Sequence, residues 1–88
     1  MYNFVTTDRF DRDLRKLDKG NAKLILKYIK KNLINLEDPR SRGRALVGDK
    51  SGLLRYRIGD YRLICKIEDE QLIILALSVG HRREVYSK

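Results

Sequence analysis

Two alternating runs joined by Gly59-Asp60 constrain this chain more than any other feature of it. Leu53-Leu54-Arg55-Tyr56-Arg57-Ile58 and Tyr61-Arg62-Leu63-Ile64-Cys65-Lys66-Ile67-Glu68 alternate apolar and polar residues, the period of a half-buried strand. Gly-Asp between two such runs reads as a two-residue hairpin loop. That loop sets the register, with Ile58 opposite Tyr61 and Arg57 opposite Arg62. Side chains alternate faces along a strand, so Arg55, Arg57 and Arg62 share one face. Like charges placed opposite each other destabilise a sheet. A sequence that breaks a local rule in this way usually does so at a functional site. Three guanidiniums on one face suit an anion, and phosphate above all. A fourth, Arg82, follows the apolar strand in Gly80-His81-Arg82-Arg83.

The rest of the chain supplies cover for this hairpin. Tyr2–Thr6 reads as a short strand. Thr7 or Asp8 caps a helix whose apolar stripe is Phe10, Leu14 and Leu17. Asp18-Lys19-Gly20 reads as a turn, and Asn21 caps a second helix running to about Leu36. Leu24, Ile25, Tyr28, Ile29 and Leu33 form its apolar face, with Lys23, Lys27, Lys30 and Lys31 mostly on the other. So short a link between helices implies an antiparallel helix hairpin. Pro39 ends the helical region. Residues 37–52 form a basic, turn-rich connection that carries Arg40, Arg42 and Arg44, with room for a short extended piece at residues 45–47. Strands over about 53–58, 61–68 and 71–79 then make a three-stranded antiparallel meander. The class is α+β, and the whole chain, 1–88, reads as one domain.

The expected helix-covered face carries Leu54, Tyr56, Ile58, Leu63, Cys65, Ile67, Leu72, Ile74 and Ala76. The other carries the arginines at one end and Ile64, Ile73, Leu75 and Leu77 at the other. A face so mixed calls for a cover: the 37–52 connection, the C-terminal tail or a partner.

Charge narrows the partners. With 20 Lys+Arg against 12 Asp+Glu the chain carries +8, which points to nucleic acid or an acidic protein. Cys65 is the single cysteine, so an intramolecular disulfide is excluded and a reducing cytoplasm is expected. Its place in the alternation is that of a buried structural thiol. Leu72–Leu77 is too short to span a bilayer, and no secretory signal is visible.

No metal-ligand spacing, phosphate-binding glycine loop or Ser-His-Asp set is legible, so neither metal nor cofactor is expected. After residue 70 the single carboxylate side chain is Glu84. Catalysis must then rest on Arg, Lys, Tyr and His. That set suffices for attack of an RNA 2′-hydroxyl on its adjacent phosphate, where nucleophile and electrophile both belong to the RNA. Arginines stabilise the developing charge. Two protons must move, and His81 and Tyr86 are the titratable groups available. The plainer readings are a loop histidine, a packing tyrosine and a merely solvated lysine face.

At this point the residues resemble a known group. Residues 53–64 together with Ser-Val-Gly-His-Arg-Arg-Glu-Val-Tyr at 78–86 look like the RelE branch of the RelE/ParE toxin superfamily, the toxins of toxin–antitoxin modules. The resemblance covers nearly the whole chain. It implies a RelE-like RNase fold and a metal-independent, ribosome-dependent endoribonuclease that cuts mRNA in the ribosomal A site. It also implies an acidic cognate antitoxin that wraps the toxin, with ribosome and mRNA as further partners. By the same resemblance Arg55 and Arg57 grip phosphate, Arg62 joins them, Arg82 positions substrate and aids the leaving group, and Tyr86 is a general base. This chain has arginine at 55 and 57 where that branch has lysine, and His81 where it has lysine. Proton transfer thus rests with Tyr86 or His81. The basic residues Lys23, Lys27, Lys30, Lys31, Arg40, Arg42 and Arg44 are expected to meet RNA or the ribosome. Two other readings stand beside this one: a ParE-type gyrase poison without RNase activity, and a non-enzymatic basic RNA-binding domain.

Overall fold

The structure, a computed structural model, describes residues 1–34, 37–48 and 51–82. Its centre is a five-stranded sheet of β1 (Asn3–Thr6), β2 (Arg44–Ala45), β3 (Leu53–Ile58), β4 (Tyr61–Glu68) and β5 (Ile73–His81), ordered β1-β5-β4-β3-β2. Helices α1 (Asp8–Arg15) and α2 (Lys19–Asn32) follow β1 in sequence. The α+β class and the element order expected from sequence hold. The sheet gains a strand, because β2 pairs with β3 through Arg44 opposite Arg55 and Ala45 opposite Leu54. It is also mixed, since β1 runs parallel to β5.

The β3–β4 hairpin has the expected register, Ile58 opposite Tyr61 and Arg57 opposite Arg62. Gly59 takes φ +59°, a conformation open to glycine at little cost and needed by a tight hairpin loop.

Local chemistry moves several boundaries. The Thr7 hydroxyl accepts the Phe10 amide at 3.2 Å and caps α1. The Asp18 carboxylate accepts the Asn21 amide at 2.9 Å. Asp18, not Asn21, therefore caps α2, and Gly20 lies in its first turn. The helix ends at Asn32, short of Leu36, which lies outside the described residues. Leu24 is 48% exposed, because the buried stripe follows Ile25, Ile29 and Leu33 and leaves Leu24 on its margin. Leu72 also leaves the expected core. It takes φ +54° after the turn Asp69–Gln71 and is exposed, so β5 starts at Ile73. At its other end β5 runs on through Gly80 and His81, beyond the expected limit at 79.

One face of the sheet holds the core. Phe10, Ile25, Ile29 and Leu33 pack on Leu54, Tyr56, Ile58, Leu63, Cys65, Ile74, Ala76 and Val79. Burial pushes the Cys65 thiol far up, which keeps it protonated and unreactive. The Tyr56 hydroxyl donates to the Pro39 carbonyl at 2.7 Å. A Cβ at Gly43 would lie 2.9 Å from the Tyr56 ring. Residues 39–43 thus close the helix-side margin at Tyr56, not the arginine face.

A β-bulge interrupts β4–β5. Ile64 pairs with Ser78 but Cys65 pairs with Ala76, so Leu77 is the extra residue. The insertion reverses the side-chain alternation of β5 beyond it. Side chains of β1's exit and α1 satisfy backbone groups there. Thr7 donates to the Ala76 carbonyl at 2.8 Å, and Asp13 accepts the Val79 amide at 3.2 Å.

Candidate functional site

The pairings line up side chains on the face away from the helices. Directly opposite residues share a face. The end rung is Arg57, Arg62 and Gly80, and the next is Arg44, Arg55, Ile64 and Ser78. Four arginines thus occupy two adjacent rungs. Arg44 falls in the turn-rich connection by sequence pattern; its antiparallel pairing with β3 brings it beside Arg55. The following rung is Leu53, Lys66, Leu75 and Val5. The face is cationic at the hairpin end and apolar towards β1, the mixture expected of it.

Within this row the arginines differ. Arg57 is exposed, whereas Arg62 is 8% exposed. The Arg62 Nη1 donates to the Tyr61 carbonyl at 3.4 Å, and its buried Nε makes no hydrogen bond. Among the described residues no carboxylate pairs with Arg57, Arg62 or Arg82. A buried cation without a counter-charge is costly. Gly80, opposite Arg62, adds no side chain to the rung.

Arg82 is exposed one residue beyond β5, with its amide bonded to the Asp60 carbonyl at 3.0 Å. It stands at the same end of the sheet as the Arg57–Arg62 rung. By register His81 falls on the opposite face of the sheet from the arginine row. His81, expected just beyond the strand as an acid–base candidate, is the last residue of β5 and pairs with Tyr61, on the helix side. The two rings meet edge to face at 5.8 Å, and Asn21 Nδ2 donates to the Tyr61 hydroxyl at 3.0 Å. The bulge at Leu77 causes this placement, for unbroken alternation would put His81 on the arginine face. Tyr86 lies outside the described residues.

The other basic candidates divide. Lys23, Lys27 and Lys30 rim an apolar groove of about 540 Å³ over Phe4, Phe10, Leu26 and Ile34. Lys27 and Lys31 also line a second groove with Arg57. Arg42 lies near the Tyr28 phenol, whose pKa is raised by burial and lowered in part by that charge. Arg40 is engaged elsewhere: both its terminal nitrogens donate to Asp69 at 3.0 Å, and Tyr2 donates to the same carboxylate at 2.7 Å. These contacts hold the Asp69 carboxyl below its ordinary pKa, Arg40 first and Tyr2 second. Among the described residues no group of three His, Cys, Asp or Glu could hold a metal ion. No described helix is long and apolar enough to cross a membrane.

A small sheet with a helix pair on one face and an arginine row on the other defines a known class. The chain belongs to the ParE toxin family of type II toxin–antitoxin systems, within the RelE/ParE superfamily; the family's model matches residues 4–86. It is a RelE-like toxin by sequence and fold. It is 32% identical over 85 residues to the toxin RelG of Mycobacterium tuberculosis, covering 97% of this chain and 93% of RelG. A chain in the crystal structure of the RelBE2 toxin–antitoxin complex of that organism superposes with TM-score 0.82 at 30% identity, covering 92% of this chain and 98% of that one. The isolated RelE toxin of E. coli shares the fold, with TM-score 0.70 at 24% identity over 99% of this chain and 93% of RelE.

Proposed function

We propose that this toxin is a ribosome-dependent endoribonuclease that cuts mRNA in the ribosomal A site and so stops translation. The observation that carries the reading is Arg62: a buried guanidinium with an unsatisfied Nε, in a row with Arg57 and next to Arg44 and Arg55. Such a group gains most from a ligand that brings its own negative charge and acceptor oxygens. An RNA phosphate supplies both. As the 2′-oxygen attacks, charge grows on the phosphoryl oxygens, and fixed guanidiniums favour that state over the ground state.

Two protons must also move. His81 packs edge-on against Tyr61 on the helix side, and this supports assigning general-base work to Tyr86 first. The chain carries no strong base of its own, so the ribosome must hold the RNA in line. The reading requires no metal or cofactor. An acidic antitoxin, matching a chain of net charge +8, would silence the toxin by occupying the same cations. Its assembly with the toxin has the precedent of the RelBE2 complex.

The family's description as the ParE toxin favours one alternative, a gyrase poison that spares RNA. One experiment separates the two. The purified chain is added to programmed ribosomes, and primer extension and end-group analysis follow. Cuts inside translated codons with 2′,3′-cyclic phosphate ends, lost in Arg62→Ala, are expected. Intact mRNA with double-strand breaks in DNA after induction would establish the gyrase poison. Equal cutting of naked mRNA would remove the ribosome from the mechanism.

A further inference from the structure

Helix α2 has a second groove on its β3 side, apart from the apolar one that runs towards β1. About 480 Å³ in volume, it has Leu24, Tyr28 and Ile58 as apolar lining and Lys27, Lys31 and Arg57 as charged lining. That volume lies in the range of small-ligand sites, roughly 300–1,000 Å³. Every ionisable side chain that lines it, Tyr28 apart, is a cation, and none of the three cations pairs with a carboxylate among the described residues. Lys27 and Lys31 are four apart and so project from one side of α2. Leu24 approaches the hairpin loop at Gly59, which also lines the groove.

Arg57 links this groove to the arginine row. β2 pairs with β3 at Leu54 and Arg55, and among the described residues no strand pairs with the outer edge of β3 at Arg57 and Ile58. Arg57 borders the groove on one side of that edge and pairs with Arg62 in the end rung. Cationic residues therefore follow one another from Arg62 through Arg57, at the sheet edge, to Lys27 and Lys31.

We propose that the groove is a nucleotide subsite, which takes one base of single-stranded RNA against Leu24, Tyr28 and Ile58 and the flanking phosphates on Lys27, Lys31 and Arg57. A π-face beside an apolar surface with cations along the backbone is the general design of single-strand sites. The subsite rests on the reading of the arginine row as an RNA-phosphate surface, and extends that surface round the sheet edge. An acidic peptide would meet the lysines too, but continuity with Arg62 favours RNA.

The test is fluorescence anisotropy of a labelled 2′-O-methyl RNA oligonucleotide, which the toxin cannot cut, titrated against the full chain at several salt concentrations. Lys27→Ala with Lys31→Ala should lower the slope of log K against log salt by about 1.4, two phosphate contacts at about 0.7 each. Leu24→Glu, at an exposed position, should weaken binding roughly tenfold or more, within the range of one lost base contact. Lys16→Ala with Lys19→Ala removes the same charge elsewhere and should leave the slope nearly unchanged. Equal slopes for the two double variants, or normal binding by Leu24→Glu, would overturn the subsite. Arg62→Ala measured in parallel separates the two readings. If it binds and cuts normally while the lysine pair matters, the arginine-row reading fails and the subsite survives. A benzophenone crosslinker placed at position 24 on programmed ribosomes then tells mRNA from ribosomal RNA. Either RNA product supports the subsite, and crosslinks to protein alone refute it.

Discussion

On the helix side of the sheet, Leu54, Tyr56, Ile58, Leu63, Cys65, Ile74, Ala76 and Val79 are all buried. On the other side the same strands present Arg44, Arg55, Arg57 and Arg62 in two neighbouring rungs. The first set lowers its free energy by leaving water. The second includes Arg62, buried with an unsatisfied Nε and no carboxylate partner among the described residues, which is costly to the folded chain. Both sets sit on one backbone, so the apolar face must stabilise what the arginine face destabilises. An arrangement kept against stability is best explained by a ligand that restores the balance when bound.

The sharpest way to break this comparison is at Arg62. Arg62→Ala should reduce cleavage by at least about a hundredfold, the scale of losing one charge-stabilising donor. Arg62→Met should be as inactive, yet more stable by about 1–3 kcal/mol, the penalty of a buried unsatisfied polar group. Urea denaturation beside a growth assay checks both. A less stable Arg62→Met would make Arg62 a structural residue. Across the sheet the signs should reverse. Leu63→Ala should cost about 2–5 kcal/mol, as large-to-small core changes do, whereas exposed Arg57→Ala should stay within about 0.5 kcal/mol.

Smaller changes sharpen the boundary between the faces. Gly43→Ala should cost about 1–3 kcal/mol by overpacking against Tyr56, read as a lower thermal midpoint. Asp13→Ala removes the acceptor of the Val79 amide and should cost about 1 kcal/mol. Amide exchange at Val79 should quicken in Asp13→Ala and recover in Asp13→Asn, which keeps an acceptor. The smallest effect belongs to the exposed cluster of Tyr2, Arg40 and Asp69. The folded Asp69 carboxyl is held below its ordinary pKa. Its contribution is therefore present above the ordinary carboxylate range and is lost as pH falls through the depressed value. Asp69→Asn should barely move the urea midpoint at pH 7, and should not differ from the parent at low pH.

The hairpin, its register and the shared face of Arg55, Arg57 and Arg62 were legible because Gly59-Asp60 fixes the pairing and the alternation fixes the faces. The bulge was not. Residues 72–77 are apolar on both faces, so nothing in their pattern shows where the alternation reverses. That hid the placement of His81 beside Tyr61. The contacts of Arg44 and Arg40 were not legible, for a different reason. Arg44 meets Arg55 across a connection with no alternating pattern to mark its strand, and Arg40 meets Asp69 from far along the chain. Asp18 and Asn21 are both good caps, so spacing alone could not choose between them. Burial of Arg62 is a property of the packed sheet, which local alternation does not encode. The position of Tyr86, on which the proton-transfer assignment turns, lies outside the described residues.

The place of β5 in the sheet bears on the order in which the molecule is made. β5 lies between β1 and β4 and is β1's single partner among the described strands. The Thr7 hydroxyl finds its acceptor 69 residues further along the chain. During synthesis the first strand and α1 must therefore wait, with Phe4 and Phe10 still wet, until almost the whole sheet has been translated. Such non-local closure is slow and leaves apolar surface open to association. The four arginines lie on β2, β3 and β4, and β5 adds Ser78 and Gly80 to their rungs in the same interval. A partner present at the moment of closure meets the arginine face just as the sheet is completed.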